Sequence, residues 1–532
     1  MELSRREFAK LMAAATVVSR FPQPQQNRTI GIQVGAVSFV DEGVEPVLDR
    51  FQRDAQINAL FIATFSYGRG IAGRQIPGQP LPDHGKQEYD TNFHGGNFAS
   101  THEQFYGGTS LKKIQAPDHP GFDVLASVLP KAQSRKVKTF CWYEDVFRRD
   151  LEGIDRLQEV TLSGKKAATL CFHNPEVQAF WQGLTEDYVR SYPIDGVMWG
   201  SERQGPFNNA IGSSHGGGIG DPSDATCFCD HCKREAKSRG IDANRAVEGY
   251  TKLASLVRQS RTGSRPSDGY FVSYWRLLVQ YPEILAWEKL WNDGQKSTYA
   301  NIYQVAKSVR RDCAVGWHIW HNNSFSLFYR AEQDYAEFRK YSDFLKVVMY
   351  NNCGGPRMAS YVNGMSHTIL GDFSPEDVLD LTCKVQNYKG EAPLTELPRK
   401  GLSANYVERE TRRAVVDAGA VEIWPGIDID IPTGQGEKKT EPQDVRDALK
   451  AAFDGGADGV ILSRKYSEMR LANLRAAGEV LGARIRNSNL LQPSVPSKAG
   501  ISTNKKGGTC ARQGTVKRFP DRAAKKARSA EE

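Results

Sequence analysis

The segment Ile194 to Cys232, IDGVMWGSERQGPFNNAIGSSHGGGIGDPSDATCFCDHC, sets a carboxylate beside a thiolate cluster. Ile194, Val197, Met198 and Trp199 read as a short buried strand, and Gly200-Ser201-Glu202-Arg203 then leaves it into a Gly/Asn/Ser-rich loop. Glu202 is therefore expected at the carboxyl end of a strand, the side of a parallel sheet where ligands bind. A carboxyl group there can give or take a proton, and a second one facing it would complete an acid and base pair. Asp428 ends another predicted strand, and Glu144, with Asp145 beside it, ends a third. A buried pocket would shift each toward a proton-donating or proton-accepting role.

The cluster CFCDHC brings Cys227, Cys229 and Cys232 within one turn and helix start. Soft thiolates at such spacing favour a tetrahedral zinc ion, and a closed site needs a fourth ligand. Cys171 in TLCFHNPEV is the leading candidate, with His231 and Cys141 behind it. A disulfide with free thiols, or an iron–sulfur centre, are competing readings. A catalytic metal built from Asp90, His94 and His102 is a further alternative, although no pair of histidines has the helical spacing of a metallohydrolase.

The elements that must position these groups alternate in type. Eight apolar, β-rich runs read as strands: Thr29 to Phe39, Ala59 to Phe65, Lys138 to Tyr143, Ile194 to Trp199, Ala314 to Trp320, Phe344 to Tyr350, Ala420 to Ile427, and Gly459 to Ser463. Helical patterns separate and follow them: Val44 to Gln56, Phe122 to Ser134, Pro175 to Tyr192, Trp275 to Arg310, Phe328 to Lys340, Tyr406 to Asp417, Pro442 to Asp454, and Met469 to Gly482. This alternation predicts an α/β fold, a (β/α)8 TIM barrel, with a doubly wound open sheet as the alternative. The connections after strands 2 and 4 are too long to be simple links, which marks them as functional. No dinucleotide fingerprint or phosphate loop occurs.

The remaining strand ends carry groups suited to a polar ligand: Trp142-Tyr143, Trp199, Arg203, His318, Trp320-His321-Asn322, Tyr350-Asn351, Trp424 and Arg464-Lys465, with His94 in the loop after strand 2. Aromatic faces cover apolar C–H surfaces while imidazole, amide and cationic groups bond hydroxyls.

The chain's 532 residues, 39% hydrophobic and 25% charged, have the balance of a soluble globular protein. Residues 1–27 contain Ser4-Arg5-Arg6-Glu7-Phe8 before a short apolar run, which resembles a twin-arginine export signal; a plain amphipathic helix is the alternative. That reading predicts contact with the twin-arginine machinery and a periplasmic or secreted destination. The barrel is expected over 28–488. Residues 489–532 form a basic tail that holds, from Lys498 onward, +7 of the chain's +8 net charge and is expected to be solvated and disordered. Contact of the tail with nucleic acid or an anionic surface is the alternative, but the body is nearly neutral and has no basic stripe with interleaved aromatics, so no nucleic-acid partner is expected.

A carboxylate after the fourth strand, a CxCxxC cluster opening a helix, and an earlier Cys171-x-x-x-Pro175 segment together resemble the family 42 β-galactosidases and related glycosidase-like barrels. The resemblance covers Lys138 to Asp242. It implies a retaining glycoside hydrolase, a carbohydrate substrate, a structural zinc, Glu202 as acid and base, and a nucleophile after strand 7. Departures are Ser201 where the family has asparagine, and a seventh strand whose only glutamate, Glu422, lies near its start. The competing class is a saccharide-binding barrel of the cell envelope that has lost its working pair.

Overall fold

Short apolar runs buried on both faces need neighbours on both edges and cover above and below, a demand met by a closed parallel sheet wrapped in helices. The computed structural model describes residues 28–216 and 220–490. Its barrel strands are β1 (Thr29–Gly35), β2 (Ala59–Ser66), β3 (Lys138–Glu144), β4 (Gly196–Gly200), β5 (Ala314–Ile319), β6 (Phe344–Met349), β7 in two pieces (Glu422–Ile423 and Gly426–Asp428) and β8 (Gly459–Ser463). All pair in parallel in chain order, and β8 closes on β1 from Thr29 opposite Gly459 to Ile32 opposite Leu462. The ring is closed, so the (β/α)8 expectation holds and the open sheet does not.

The helices after the strands are α1 (Val44–Ala55), α2 (Val124–Ser134), α3 (Pro175–Ser191), α4 (Glu283–Val309), α5 (Tyr335–Phe338), α6 (Ala404–Ala418), α7 (Pro442–Asp454) and α8 (Leu471–Leu490). Helix starts are chemically marked. Asn174 accepts from the N–H of Glu176 ahead of Pro175, and Asp123 accepts from the N–H of Ala126. None of the described helices is long and apolar enough to cross a membrane.

The barrel's lower interior is filled by four rings, Phe61 on β2, Phe140 on β3, Phe344 on β6 and Trp424 in the break of β7. Phe61 stacks on Phe140 at 4.7 Å, and Phe344 stacks on Trp424 at 4.1 Å. The other four strands supply glycine at this level. A Cβ at Gly31, Gly196, Gly316 or Gly459 would come within 2.6, 2.7, 2.2 or 3.0 Å of one of these rings. Large and small residues are thus matched around the ring, and each buried aromatic contributes about 1.5–3 kcal/mol.

Several boundaries differ from the sequence expectation. β1 stops at Gly35, and Ala36–Glu42 turns helical. Pro425, lacking an N–H, splits β7. The helix expected over Trp275 to Arg310 is two, Tyr270–Gln280 and α4, separated at Pro282. An antiparallel hairpin, Gln158–Val160 with Lys166–Leu170, stands between β3 and α3. Helices Asn351–Ser366 and Pro375–Gln386 lie between β6 and α6. The export signal over 1–27 and the tail, apart from its first residues in α8, lie outside the described residues.

Candidate functional site

Strand alternation decides which side chains face the barrel interior. On β3, Phe140, Trp142 and Glu144 share the inner face. On β6, Phe344 and Lys346 share it, and on β5 Gly316 and His318 do. Above the aromatic layer these positions turn polar, so the upper interior is a hydrogen-bonded well at the carboxyl ends of the strands.

Lys346 is its hub, with 0% exposure. Its Nζ donates to Gln33 Oε1 of β1 at 2.7 Å and to Tyr350 Oη at 2.8 Å, and lies 3.0 Å from His318 Nδ1. Ser463 of β8 also donates to Gln33 Oε1, at 2.7 Å. Three acceptors match the three N–H bonds of an ammonium. Because Nδ1 of His318 accepts from lysine, its proton sits on Nε2, which is 3.0 Å from Glu202 Oε1 and donates to it. Burial and the adjacent lysine push His318 down to about 4, so it is neutral at pH 7. Burial likewise pulls Lys346 down to about 7, against the attraction of Glu144 and Glu202.

The two glutamates of the well are driven apart. Loss of water on its inner side would raise Glu202, but the His318 hydrogen bond and the charges around it, Arg357 among them, take it down to about 2. Glu144 is 4% exposed; burial, and then the charge of Glu202, lift it to about 8 despite Lys346 and a 2.5 Å hydrogen bond from Trp142 Nε1. At neutral pH Glu144 holds a proton and Glu202 does not. Glu144 lies over Gly200, where a Cβ would stand 3.1 Å from Oε2. The Glu202 side chain is 49% exposed and borders a cleft of about 460 Å³ shared with Thr169, Gln204, Asn209, Ser214 and Trp320.

Asp428 requires correction as the facing carboxylate. It is 0% exposed, and its oxygens accept from Ile431 N at 3.0 Å, Thr440 Oγ1 at 3.1 Å and Cys353 N at 3.2 Å. Those bonds fasten the loop after β7 to the helix after β6. Asp145, raised to about 6 by burial against the pull of Arg203, is also structural, since it accepts from Ser201 Oγ at 3.0 Å and pairs with Arg203 Nε at 2.9 Å.

Other sequence expectations divide by strand face. Trp142, His318 and Tyr350 line the well. Tyr143 and Trp199 point outward into the helix layer, Tyr143 bonding Thr185 Oγ1 at 2.8 Å and Trp199 packing on Trp181 and Tyr299. Trp424 belongs to the aromatic floor. Arg203 is pinned between Asp145, Glu159 and the carbonyl of Leu170, over the Phe172 ring. Arg464 is paired through two nitrogens with Glu468, and Lys465 Nζ donates to Gly73 O at 2.9 Å, tying down the loop after β2. Trp320 edges the cleft, with the His215 ring 5.2 Å away. Asn322 bridges Gln204 and the carbonyl of Ser213, and accepts from His215 N. Asn351 is buried at the start of its helix. His321 is buried between Arg357 and Tyr406.

His94 sits on Asp118, His102 on Asp187 of α3 at 2.6 Å, and Asp90 accepts from Arg74 N, each engaged separately. They form no metal site. Sequence reasoning missed Lys346, Gln33, Ser463 and Arg357. The signal for Lys346 was present: one charge inside the apolar run FLKVVM.

Among the described residues, the one group of His, Cys, Asp or Glu gathered closely enough to hold a metal is Cys171, Cys227, Cys229 and Cys232, all buried, with sulfurs within 4.8 Å of one another. Cys171 lies 3.4 Å from Cys229 and 3.6 Å from Cys232, contacts rather than bonds. A tetrahedral ion with metal–sulfur bonds of about 2.3 Å spaces its ligands by about 3.8 Å, so the donor set fits a metal. His231 is half-buried and turned to Arg234, and Cys141 lies in the barrel wall, so neither competes with Cys171. The cluster joins the hairpin after β3, through Cys171, to the segment after β4. Trp287 of α4 bonds the carbonyl of Cys227 and stacks on Phe228.

Fold and site together define a closed (β/α)8 barrel whose mouth holds one protonated and one ionised glutamate. No protein-family model matches the chain, and no curated protein matches its sequence. Among solved structures it is similar to α-L-fucosidase isoenzyme 2 from Paenibacillus thiaminolyticus, with 10% identity over 86% of this chain and 49% of that one, and a TM-score of 0.45. It is also similar to a polyextremophilic β-galactosidase from the haloarchaeon Halorubrum lacusprofundi, with 13% identity over 87% and 58% of the two chains and a TM-score of 0.47. A third is the PgaB (BpsB) glycoside hydrolase domain from Bordetella bronchiseptica, with 11% identity over 87% and 98% and a TM-score of 0.44. The chain spans about half the length of the fucosidase it matches.

Proposed function

We propose that this protein hydrolyses a glycosidic bond, with Glu144 as the acid and Glu202 as the ionised partner that attacks the sugar or activates water. The observation that carries this reading is the pair of glutamates at neighbouring strand ends, Glu144 buried over Gly200 and Glu202 open to the cleft, in settings that push their proton affinities in opposite directions. Glycoside hydrolysis needs one carboxyl group to protonate the departing oxygen and another to act as nucleophile or base. Under this assignment Glu202 changes role relative to the family 42 resemblance, because the neutral His318 and the cations around it favour its charge. Trp320 offers an aromatic edge to a sugar ring in the cleft. Lys346 holds the His318 tautomer that donates to Glu202, and so positions the anion without touching substrate.

The Cys171, Cys227, Cys229 and Cys232 set fits zinc, and such an ion would serve structure, since four thiolates close its coordination sphere. The paired-arginine leader supports export in the folded state, with the metal loaded beforehand. A non-catalytic saccharide-binding barrel remains the second reading, favoured by the low exposure of Glu144.

The test is a panel of activated aryl glycosides assayed with the full chain and with Glu202→Gln. Turnover of at least one glycoside that disappears in the variant, with its thermal unfolding unchanged, is expected. Equal activity in the variant removes Glu202 from the mechanism, and saccharide binding without turnover by either protein favours the second reading.

A further inference from the structure

One cation near the mouth, Arg357, favours the charge of Glu202 from a distance and pairs directly with no carboxylate among the described residues. Arg357, half-buried on the helix Asn351–Ser366, donates from Nη1 to His321 Nδ1 at 2.8 Å and meets no carboxylate at ion-pair distance among the described residues. Other arginines around this rim are neutralised: Arg203 by Asp145 and Glu159, Arg464 by Glu468, Arg470 by Asp430. Arg357 is not. The His321 ring that it bonds lies 5.5 Å from that of Tyr350, one of the residues that line the well, so Arg357 stands beside the well.

Its one hydrogen-bond partner supplies no counter-charge. His321 is 1% exposed; its Nε2 lies 3.1 Å from Tyr406 Oη, and that hydroxyl donates to Ser324 Oγ at 2.7 Å. Tyr406 spends its proton on Ser324, so His321 must donate from Nε2 and accept from Arg357 at Nδ1. The imidazole is therefore neutral, and burial holds it so. The relay fixes one edge of the guanidinium and, among the described residues, leaves the other N–H groups of its planar fork without a partner. Nearby, the Nε2 of His215 is buried without a partner among the described residues, its ring 5.7 Å from that of His321.

We infer that the substrate is an acidic saccharide, bearing a carboxylate or a sulfate, and that Arg357 binds this anion. A fixed, uncompensated guanidinium in a half-buried setting is costly until an anion arrives, and its fork matches two oxygens of either group. This inference rests on the saccharide reading of the mouth and specifies the substrate class.

The experiment titrates the full chain, carrying Glu202→Gln to prevent turnover, with galacturonic-acid oligomers, sulfated galactan oligomers and neutral galactan oligomers of matched length. One acidic series is expected to bind at least about tenfold more tightly than the neutral one, as loss of a charge-assisted pair would predict. Which series does so distinguishes carboxylate from sulfate. Adding Arg357→Gln should abolish that advantage while the neutral oligomer binds as before, and Arg357→Lys should retain part of it. If Arg357→Gln does not fold, salt supplies the readout: acidic binding should weaken steeply with ionic strength, and neutral binding should not. Neutral and acidic oligomers binding alike, or an advantage that survives Arg357→Gln, overturns the inference and leaves the saccharide reading standing. No binding of any oligomer sinks both.

Discussion

Glu144→Gln separates the acid proposed here from an ordinary buried carboxylate. Glutamine copies the shape of the protonated side chain, so the variant should fold normally at mildly acidic pH. The folded protein holds the Glu144 proton up to about 8, whereas the unfolded chain releases it near the ordinary carboxyl value of 4.5. Between those values the folded state binds more protons, so this group's contribution to stability falls as pH rises and is fully lost above 8. From pH 5.5 to 9 the interval crossed is about 2.5 units, a ceiling of about 3.5 kcal/mol at about 1.4 kcal/mol per unit. Lys346 works in the opposite sense: its folded value near 7 makes stability recover between 7 and the usual lysine range. Wild type should therefore pass through a stability minimum near pH 7 to 8. Urea unfolding of both proteins at pH 5.5 and 9 isolates the glutamate, because only wild type pays the alkaline cost; Glu144→Gln should gain about 1–3 kcal/mol on wild type between the two conditions once coupling to Lys346 is allowed for. The variant should also lose about 10²–10⁴-fold in turnover of a glycoside whose leaving group needs protonation, and wild-type activity should fall above pH 8. A stability difference that does not change with pH, or full activity in Glu144→Gln, refutes the assignment.

Cys229→Ser should lower metal content from about one zinc per chain to none and lower the unfolding temperature; elemental analysis and calorimetry read both, and a metal-free wild type discards the zinc reading. Gly316→Ala places a methyl group 2.2 Å from the Phe344 ring and should cost about 1–3 kcal/mol, measured by urea midpoint. An unchanged midpoint would mean that the aromatic floor yields more easily than its packing implies.

The barrel was legible because burial on both faces writes itself as near-continuous apolar runs, and every one of the eight runs became a strand. The site was less so. Glu144, Glu202 and Asp428 all follow such runs and look alike in sequence, yet Asp428 is occupied by groups such as Cys353 N, 75 residues away along the chain. Which carboxylate is free depends on contacts that no local pattern carries. Trp199 and Trp424 were equally ambiguous, because a strand end lists aromatic residues without saying whether they face the well, the helices or the floor. Lys346 escaped because a fully apolar strand invites attention to its ends. The thiol cluster was the opposite case, since three of its members lie within six residues and spacing alone brought them together.

The floor of stacked rings has a consequence for traffic. Phe61, Phe140, Phe344 and Trp424 close the barrel from beneath, so the well above them is blind-ended. A molecule that enters the well has to leave by the doorway through which it came.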